Sequence, residues 1–161
     1  SAYVKGTAAF DQVVQAFGAD VVGDDGEVDR RVLGGKVFGN PAALKQLTDI
    51  VWPAIQAMAQ CEIDQALAAD ASRPVVLEAA VLIEAQWLGL VDQVWVTIVE
   101  PDAAIERACA RDNLDPAAVQ ARLDAQLSND ERRAYADQVI DNSADEAHLL
   151  RQVETLWQRL V

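Results

Sequence analysis

Between residues 8 and 18 the apolar side chains Phe10, Val13, Val14 and Phe17 recur at i, i+3, i+4 and i+7, with Gly18 where a helix would stop. That period is helical and predicts a helix over residues 8–18. Asp24-Asp25-Gly26 carries a turn signature, and a short helix is expected from about Asp29 to Phe38 with Leu33 and Val37 facing inward. Asn40-Pro41 then opens a long helix to about Ala69. It presents Leu44, Leu47, Val51, Ile55, Met58 and Leu67 at near-helical spacing, and Pro53 is expected to bend or split it.

After Arg73-Pro74 the pattern changes. Val75-Val76-Leu77 is too short and too β-branched for a helix and reads as a strand, and residues 93–99 read as a second, buried one. Pro101 opens a helix to about Asp112, Pro116 opens one to about Leu127, and Ser128 with Glu131 predicts a capping box on a third. Val139-Ile140 is the expected third strand. Ser143 with Glu146 is expected to cap a last helix whose apolar face carries Leu149, Leu150, Val153, Leu156, Trp157 and Leu160. Strands alternating with helices predict an α/β fold with a parallel sheet covered by helices. No repeat, low-complexity run or linker interrupts the pattern, so one domain over residues 1–161 is expected.

Composition removes several function classes. With 52% hydrophobic residues in 161, the chain has enough apolar surface for a compact core. The 26 acidic against 13 basic side chains leave a net charge of −13, which opposes any sequence-blind hold on nucleic acid. Two distant cysteines, Cys61 and Cys109, and a single histidine exclude a disulfide scaffold and a Cys/His zinc cage. The most apolar stretch, residues 74–91, is interrupted by Glu78 and Glu84, so no membrane span is expected. With no basic and apolar signal at residues 1–10, a cytoplasmic location is expected.

Few residues suggest chemistry by spacing alone. Gly34-Gly35-Lys36 invites a phosphate-loop reading, but GxxxxGK[ST] needs a preceding strand and a hydroxyl where Val37 stands. The segment reads instead as a helix with two small residues. Arg107 and Arg111 are one helical turn apart and Arg122 lies on the next helix; guanidinium suits bidentate phosphate contacts. Spacing alone favours solvated ion pairs with Glu106, Asp112 or Asp124. Glu78 and Glu84 follow the first expected strand, where ligands of open α/β sheets collect, yet capping or arginine pairing is the commoner role of such acids. His148 reads as structural. Trp87, Trp95 and Trp157 read as core residues, whereas Trp52, just before Pro53, is placed to line a cleft.

Taken in order, Gly26-Glu27-Val28-Asp29-Arg30, Val37-Phe38-Gly39-Asn40, Trp52-Pro53, the stretch Val76-Leu77-Glu78-Ala79-Ala80-Val81-Leu82-Ile83-Glu84, and Ile140-Asp141-Asn142 resemble dephospho-CoA kinase. The nearest form is the kinase domain of bifunctional CoA synthase. Phe17-Gly18, Thr48-Asp49-Ile50 and Arg111-Asp112 followed by Arg122 and Gln126 fit the same pattern, so the resemblance covers nearly the whole chain.

The resemblance implies a P-loop-kinase-like sheet with helices on both faces and transfer of the ATP γ-phosphate to the ribose 3′-hydroxyl of dephospho-CoA, with Mg²⁺. It implies an acceptor-binding region at about residues 1–72 and the remaining sheet, lid and last helix at about 73–161. Arg30 would bind the acceptor, Trp52 would occupy the position usually held by histidine before proline, and Glu84 would end the Pro-Leu-Leu-x-Glu motif, in which Ala80 and Val81 replace Pro-Leu. Arg111 and Arg122, with Arg107 beside them, would form the lid that closes on phosphates, and Asn142 would lie near the adenine. The catalytic residue and the metal ligands stay unassigned.

Against the family pattern, the P-loop strand, its GxxxxGK[ST] loop and the aspartate pair are missing from residues 1–161. The expectation is a sheet without its central strand, completed by another segment or by a second copy. These residues alone are expected to bind ATP–Mg²⁺ without appreciable affinity and not to transfer phosphate. The alternative is a non-catalytic module derived from the kinase that binds CoA-like ligands or serves interaction.

Overall fold

The computed structural model describes residues 3–124 and 126–160, which form two compact units, Ser1–Glu78 and Ala79–Val161.

In the first unit, helix α1 (Ala8–Phe17) begins at Thr7, whose hydroxyl accepts from the Phe10 amide, and ends at Gly18 with φ +95°. A positive φ at that stop is why glycine follows the last turn. After a 3₁₀ turn at Ala19–Val21, the chain reverses through Gly26 (φ +78°), and Val22 bridges Val28 in antiparallel fashion. Asp29 then caps α2 (Arg30–Val37), its carboxylate accepting from the amides of Arg31 and Val32. Asn40 caps α3 (Pro41–Ala69) in the same way through Ala43.

The core of this unit is Val13, Val21, Leu33, Val37 and Val51, with Leu47, Ile50 and Ile55 packed against it. Val13 and Val21 are fully buried. Helix α3 continues through Pro53 without a break, so the expected split does not occur. Proline removes one amide donor, a loss that the rest of a long ladder can absorb. At 29 residues, and about 1.5 Å rise per residue, α3 outruns the core it packs on. Met58 and Leu67 consequently stay exposed, although their spacing placed them inward, and Leu44 is exposed as well, on the covered part of the helix between Ala43 and Leu47.

Beyond α3, Asp70 accepts from the amide and hydroxyl of Ser72 and turns the chain. The expected strand at Val75–Leu77 does not form: these residues carry no regular structure, and Val76 is 77% exposed. β-branched composition favours an extended chain, but a strand exists only where a neighbour takes its amides and carbonyls.

The second unit holds a two-stranded parallel sheet, β1 (Trp95–Ile98) beside β2 (Gln138–Asp141), in register Trp95 with Gln138 through Ile98 with Asp141. Val94, Val96 and Ile98 form its core with Leu82, Ile83, Leu88, Val91, Ala136 and Val139. Between the strands lie α4 (Pro101–Asp112), α5 (Pro116–Asp124) and α6 (Asn129–Arg133). α5 stops short of the expected Leu127, and Ala125 lies outside the described residues. The Ser128–Glu131 capping box forms as predicted, with both halves present.

Helix α7 (Glu146–Leu160) corrects one expectation. Its first amides are served by Asp145, whose carboxylate accepts from the His148 amide at 2.7 Å and whose carbonyl accepts from Leu149. Ser143 does not cap it. The Ser143 hydroxyl instead accepts from the Glu100 amide at 3.0 Å, joining the chain ends that leave the two strands.

Candidate functional site

In the first unit an open cleft of about 640 Å³ lies between the overhanging part of α3 and residues 75–77. Ile55, Met58, Ala59, Ile63 and Ala66 share one face of α3 and make one wall, opposite Val75, Val76 and Leu77. Arg30, Tyr3 and Glu62 bring polarity to this apolar trough. The Arg30 guanidinium carbon lies 5.8 Å from the centroid of the Tyr3 ring, within cation–π range. An apolar cleft of this volume with a few convergent polar groups has the character of a small-molecule site. Trp52 is half-buried on α3, three residues before Ile55, and is not among the residues that line the cleft.

Gly34-Gly35-Lys36 is not a phosphate loop here. It lies inside α2, and the Lys36 ammonium donates to the Phe17 carbonyl at 2.6 Å and to Asp20 at 2.8 Å. The hydrogen bond from Lys36 is the main reason the Asp20 carboxyl is held below its ordinary value.

In the second unit the polar groups gather where the parallel strands end. The Asn142 amide donates to the Ile98 carbonyl at 2.8 Å. Arg107, on α4, donates from Nη1 to the Asn142 carbonyl at 2.6 Å and from Nη2 to the Ala144 carbonyl at 3.0 Å. Its guanidinium thereby clamps the loop after β2. The Asn129 side chain donates to the Val99 carbonyl at 2.9 Å and accepts from Arg132 at 2.8 Å. The Asp141 carboxyl is held below its ordinary value by the Ser143 side chain and then the Ser143 amide, with weaker attraction from His148 and Arg133.

Arg111 pairs with Asp112, and the charge of Arg122 acts on the same carboxylate. Arg111 makes a two-pronged contact with Asp112, Nε to Oδ1 at 2.8 Å and Nη2 to Oδ2 at 2.7 Å. Those hydrogen bonds lower the Asp112 pKa most, and the charge of Arg122 adds to them. Arg111 and Arg122 are exposed, so this pair is screened by water.

The family model described as dephospho-CoA kinase matches residues 1–148. The chain belongs to the dephospho-CoA kinase family. It is 37% identical over 155 residues to the dephospho-CoA kinase of Symbiobacterium thermophilum, covering 96% of this chain but 64% of that protein, less than two thirds of its length. It is 35% identical over 158 residues to the dephospho-CoA kinase of Geobacter sulfurreducens, covering 98% of this chain and 80% of that one. Among solved structures it resembles TT1252 from Thermus thermophilus, with a TM-score of 0.70 and 25% identity over 94% of this chain and 76% of that one. The α/β fold with a parallel sheet and helices is that of the family.

Within this family frame, the structure brings together Arg107 and Asn142, and separately Arg111 and Arg122. Glu84 is exposed in the turns before the 3₁₀ turn at Trp87–Leu90 and belongs to the second unit, whereas Arg30 and Trp52 belong to the first. Sequence reading missed Tyr3, Glu62, Asn129 and Arg132. Tyr3 lies 27 residues before Arg30, and no periodicity links the two. Asn129 and Arg132 had a visible signal, since they sit at i and i+3 directly behind a recognised capping serine. No helix of the described residues is long and apolar enough to cross a membrane.

Proposed function

We propose that these residues serve ATP-dependent phosphorylation of the ribose 3′-hydroxyl of dephospho-CoA, the first unit holding the acceptor and the second engaging the nucleotide. The observation that carries this reading is the cleft of about 640 Å³ with Arg30 held over Tyr3, in a chain matched by the family model over residues 1–148. The apolar trough suits the long, amphiphilic arm of a CoA-like molecule. The Arg30 guanidinium is the group suited to its phosphates.

In the reaction the 3′ oxygen bonds to the γ-phosphorus as the bond from that phosphorus to the departing ADP oxygen breaks, and the hydroxyl proton leaves. Such transfer depends on positioning and charge stabilisation. Arg30 binds the acceptor in the first unit; Trp52, outside the cleft wall, and Glu84, on the second unit, are given no contact with it. Arg111 leaves Asp112 for donor phosphates, with the charge of Arg122 beside it, as the lid closes, and Asn142, held by Arg107, borders the adenine. GxxxxGK[ST] does not occur in residues 1–161, so no residue here is assigned to cradling the ATP phosphates or to the proton. The family's Mg²⁺ is likewise given no ligand: among the described residues no three His, Cys, Asp or Glu side chains come together to hold a cation.

Calorimetric titration with dephospho-CoA tests the reading. Binding is expected, and Arg30→Ala weakens it by about tenfold to a hundredfold, the loss of a guanidinium–phosphate contact of about 1.5–3 kcal/mol. Undetectable binding by the parent, or unchanged affinity in a folded Arg30→Ala protein, overturns it.

A further inference from the structure

Arg132 on α6 is half-buried at the carboxyl end of β1. Its Nε is, among the described residues, the sole buried side-chain nitrogen or oxygen with no hydrogen-bond partner. Its Nη2 donates to Asn129 Oδ1 at 2.8 Å, and the same Asn129 side chain holds the Val99 carbonyl through Nδ2 at 2.9 Å. One amide therefore fixes the guanidinium plane to the end of a parallel strand. Nη1 makes no hydrogen bond to the protein and is not among the buried, unpartnered atoms, so it is open to water.

No carboxylate neutralises this cation among the described residues, although the chain has twice as many acids as bases. The acid nearest along α6, Glu131, is committed to the Ser128 amide and hydroxyl at 2.8 and 2.7 Å. A partly dehydrated guanidinium with an orphaned N–H and no counterion is costly to hold. Because its charge is spread over all three nitrogens, an anion meeting the open end offsets the dehydration of the whole group. The carboxyl ends of parallel strands are where α/β sheets hold ligands.

We propose that Arg132 is an anion-binding residue of the second unit, taking a phosphoryl oxygen of a nucleotide, with Asn129 as its positioning residue. The proposal deepens the nucleotide side of the function proposed above and does not depend on the acceptor cleft. Phosphoryl oxygens could come from a nucleotide or from free phosphate, and the assay separates the two.

The arginine Nε–H signals of the ¹⁵N-labelled chain are followed by NMR during titration with ATP, with inorganic phosphate and with adenosine at constant ionic strength. The Arg132 signal is expected to move with ATP in the millimolar range, at about tenfold lower concentration than with phosphate, and to ignore adenosine. Arg132→Gln is expected to raise the half-saturating ATP concentration about tenfold, read at the Asn142 amide, with Arg132→Lys recovering part of the loss. Dephospho-CoA affinity stays unchanged in both variants. An Arg132 signal that is still while other resonances saturate, or an unaltered ATP response in a folded Arg132→Gln protein, overturns the proposal. Equal response to free phosphate overturns the nucleotide assignment. Silence of every resonance at millimolar ATP also refutes it, leaving the separately measured acceptor reading untouched.

Discussion

Arg107→Ala removes the two hydrogen bonds that tie α4 to the loop after β2, from Nη1 to the Asn142 carbonyl and from Nη2 to the Ala144 carbonyl. A bond from a charged donor contributes about 1.5–3 kcal/mol where water is excluded. Arg107 is exposed, so water replaces most of what is lost, and about 0.5–1 kcal/mol remains for each bond. The pair is then worth about 1–2 kcal/mol, and thermal unfolding should fall by about 2–8 °C. The loss has an address. The Asn142 amide, bonded to the Ile98 carbonyl, and the Glu100 amide, bonded to the Ser143 hydroxyl, should exchange hydrogen faster in the variant, while amides around Val13 and Leu33 keep their protection. Arg107→Lys should be intermediate, because one ammonium cannot reproduce a fork that spans two carbonyls. Unchanged exchange at Asn142 and Glu100, with unchanged melting, would refute the clamp and return Arg107 to the lid.

Other perturbations separate neighbouring roles. Asp145→Ala should destabilise α7 by about 1 kcal/mol in urea unfolding, and helicity that drops with Ser143→Ala instead would contradict the observed cap. Gly35→Ala places a methyl in open space inside α2 and should stabilise the protein by about 0.5–1 kcal/mol without altering ligand affinity; a lost ligand would revive the phosphate-loop reading. The Glu131 carboxyl is held below its ordinary value first by the Ser128 hydroxyl and then by the Ser128 amide. A carboxyl depressed on folding stabilises fully above its unfolded pKa, and that stabilisation disappears as pH falls through the lower folded value. Melting temperature measured from neutral pH downward should therefore decline through the acid range less steeply in Glu131→Gln than in the parent, and coincident curves would remove Glu131 from the acid limb.

Local signals along the chain foretold the elements whose causes are themselves local. Thr7, Asp29, Asn40 and the Ser128–Glu131 pair cap helices through contacts two or three residues away, which spacing alone can reveal. Val75–Leu77 misled because strand formation depends on a neighbour that composition does not specify. Ser143 misled for a related reason: its hydroxyl lies two residues before the true cap and is engaged by Glu100, 43 residues away. The spacing of Arg107 and Arg111 put them on one helix face, yet one clamps a loop and the other pairs with Asp112. Which acceptor a guanidinium takes depends on chain segments that meet only after folding. The cleft is legible in retrospect from α3, whose apolar period continues beyond the core that can cover it. Nothing local announces that Val75–Leu77 form the opposite wall.

Backbone amide mapping of a dephospho-CoA titration is the most direct test of the acceptor role. Shifts are expected to concentrate at Tyr3, at Arg30, along Ile55–Ala66 and at Val75–Leu77, and to collapse in Arg30→Ala while the spectrum stays that of a folded protein. No shifts at saturating ligand, or shifts confined to the second unit, would contradict it.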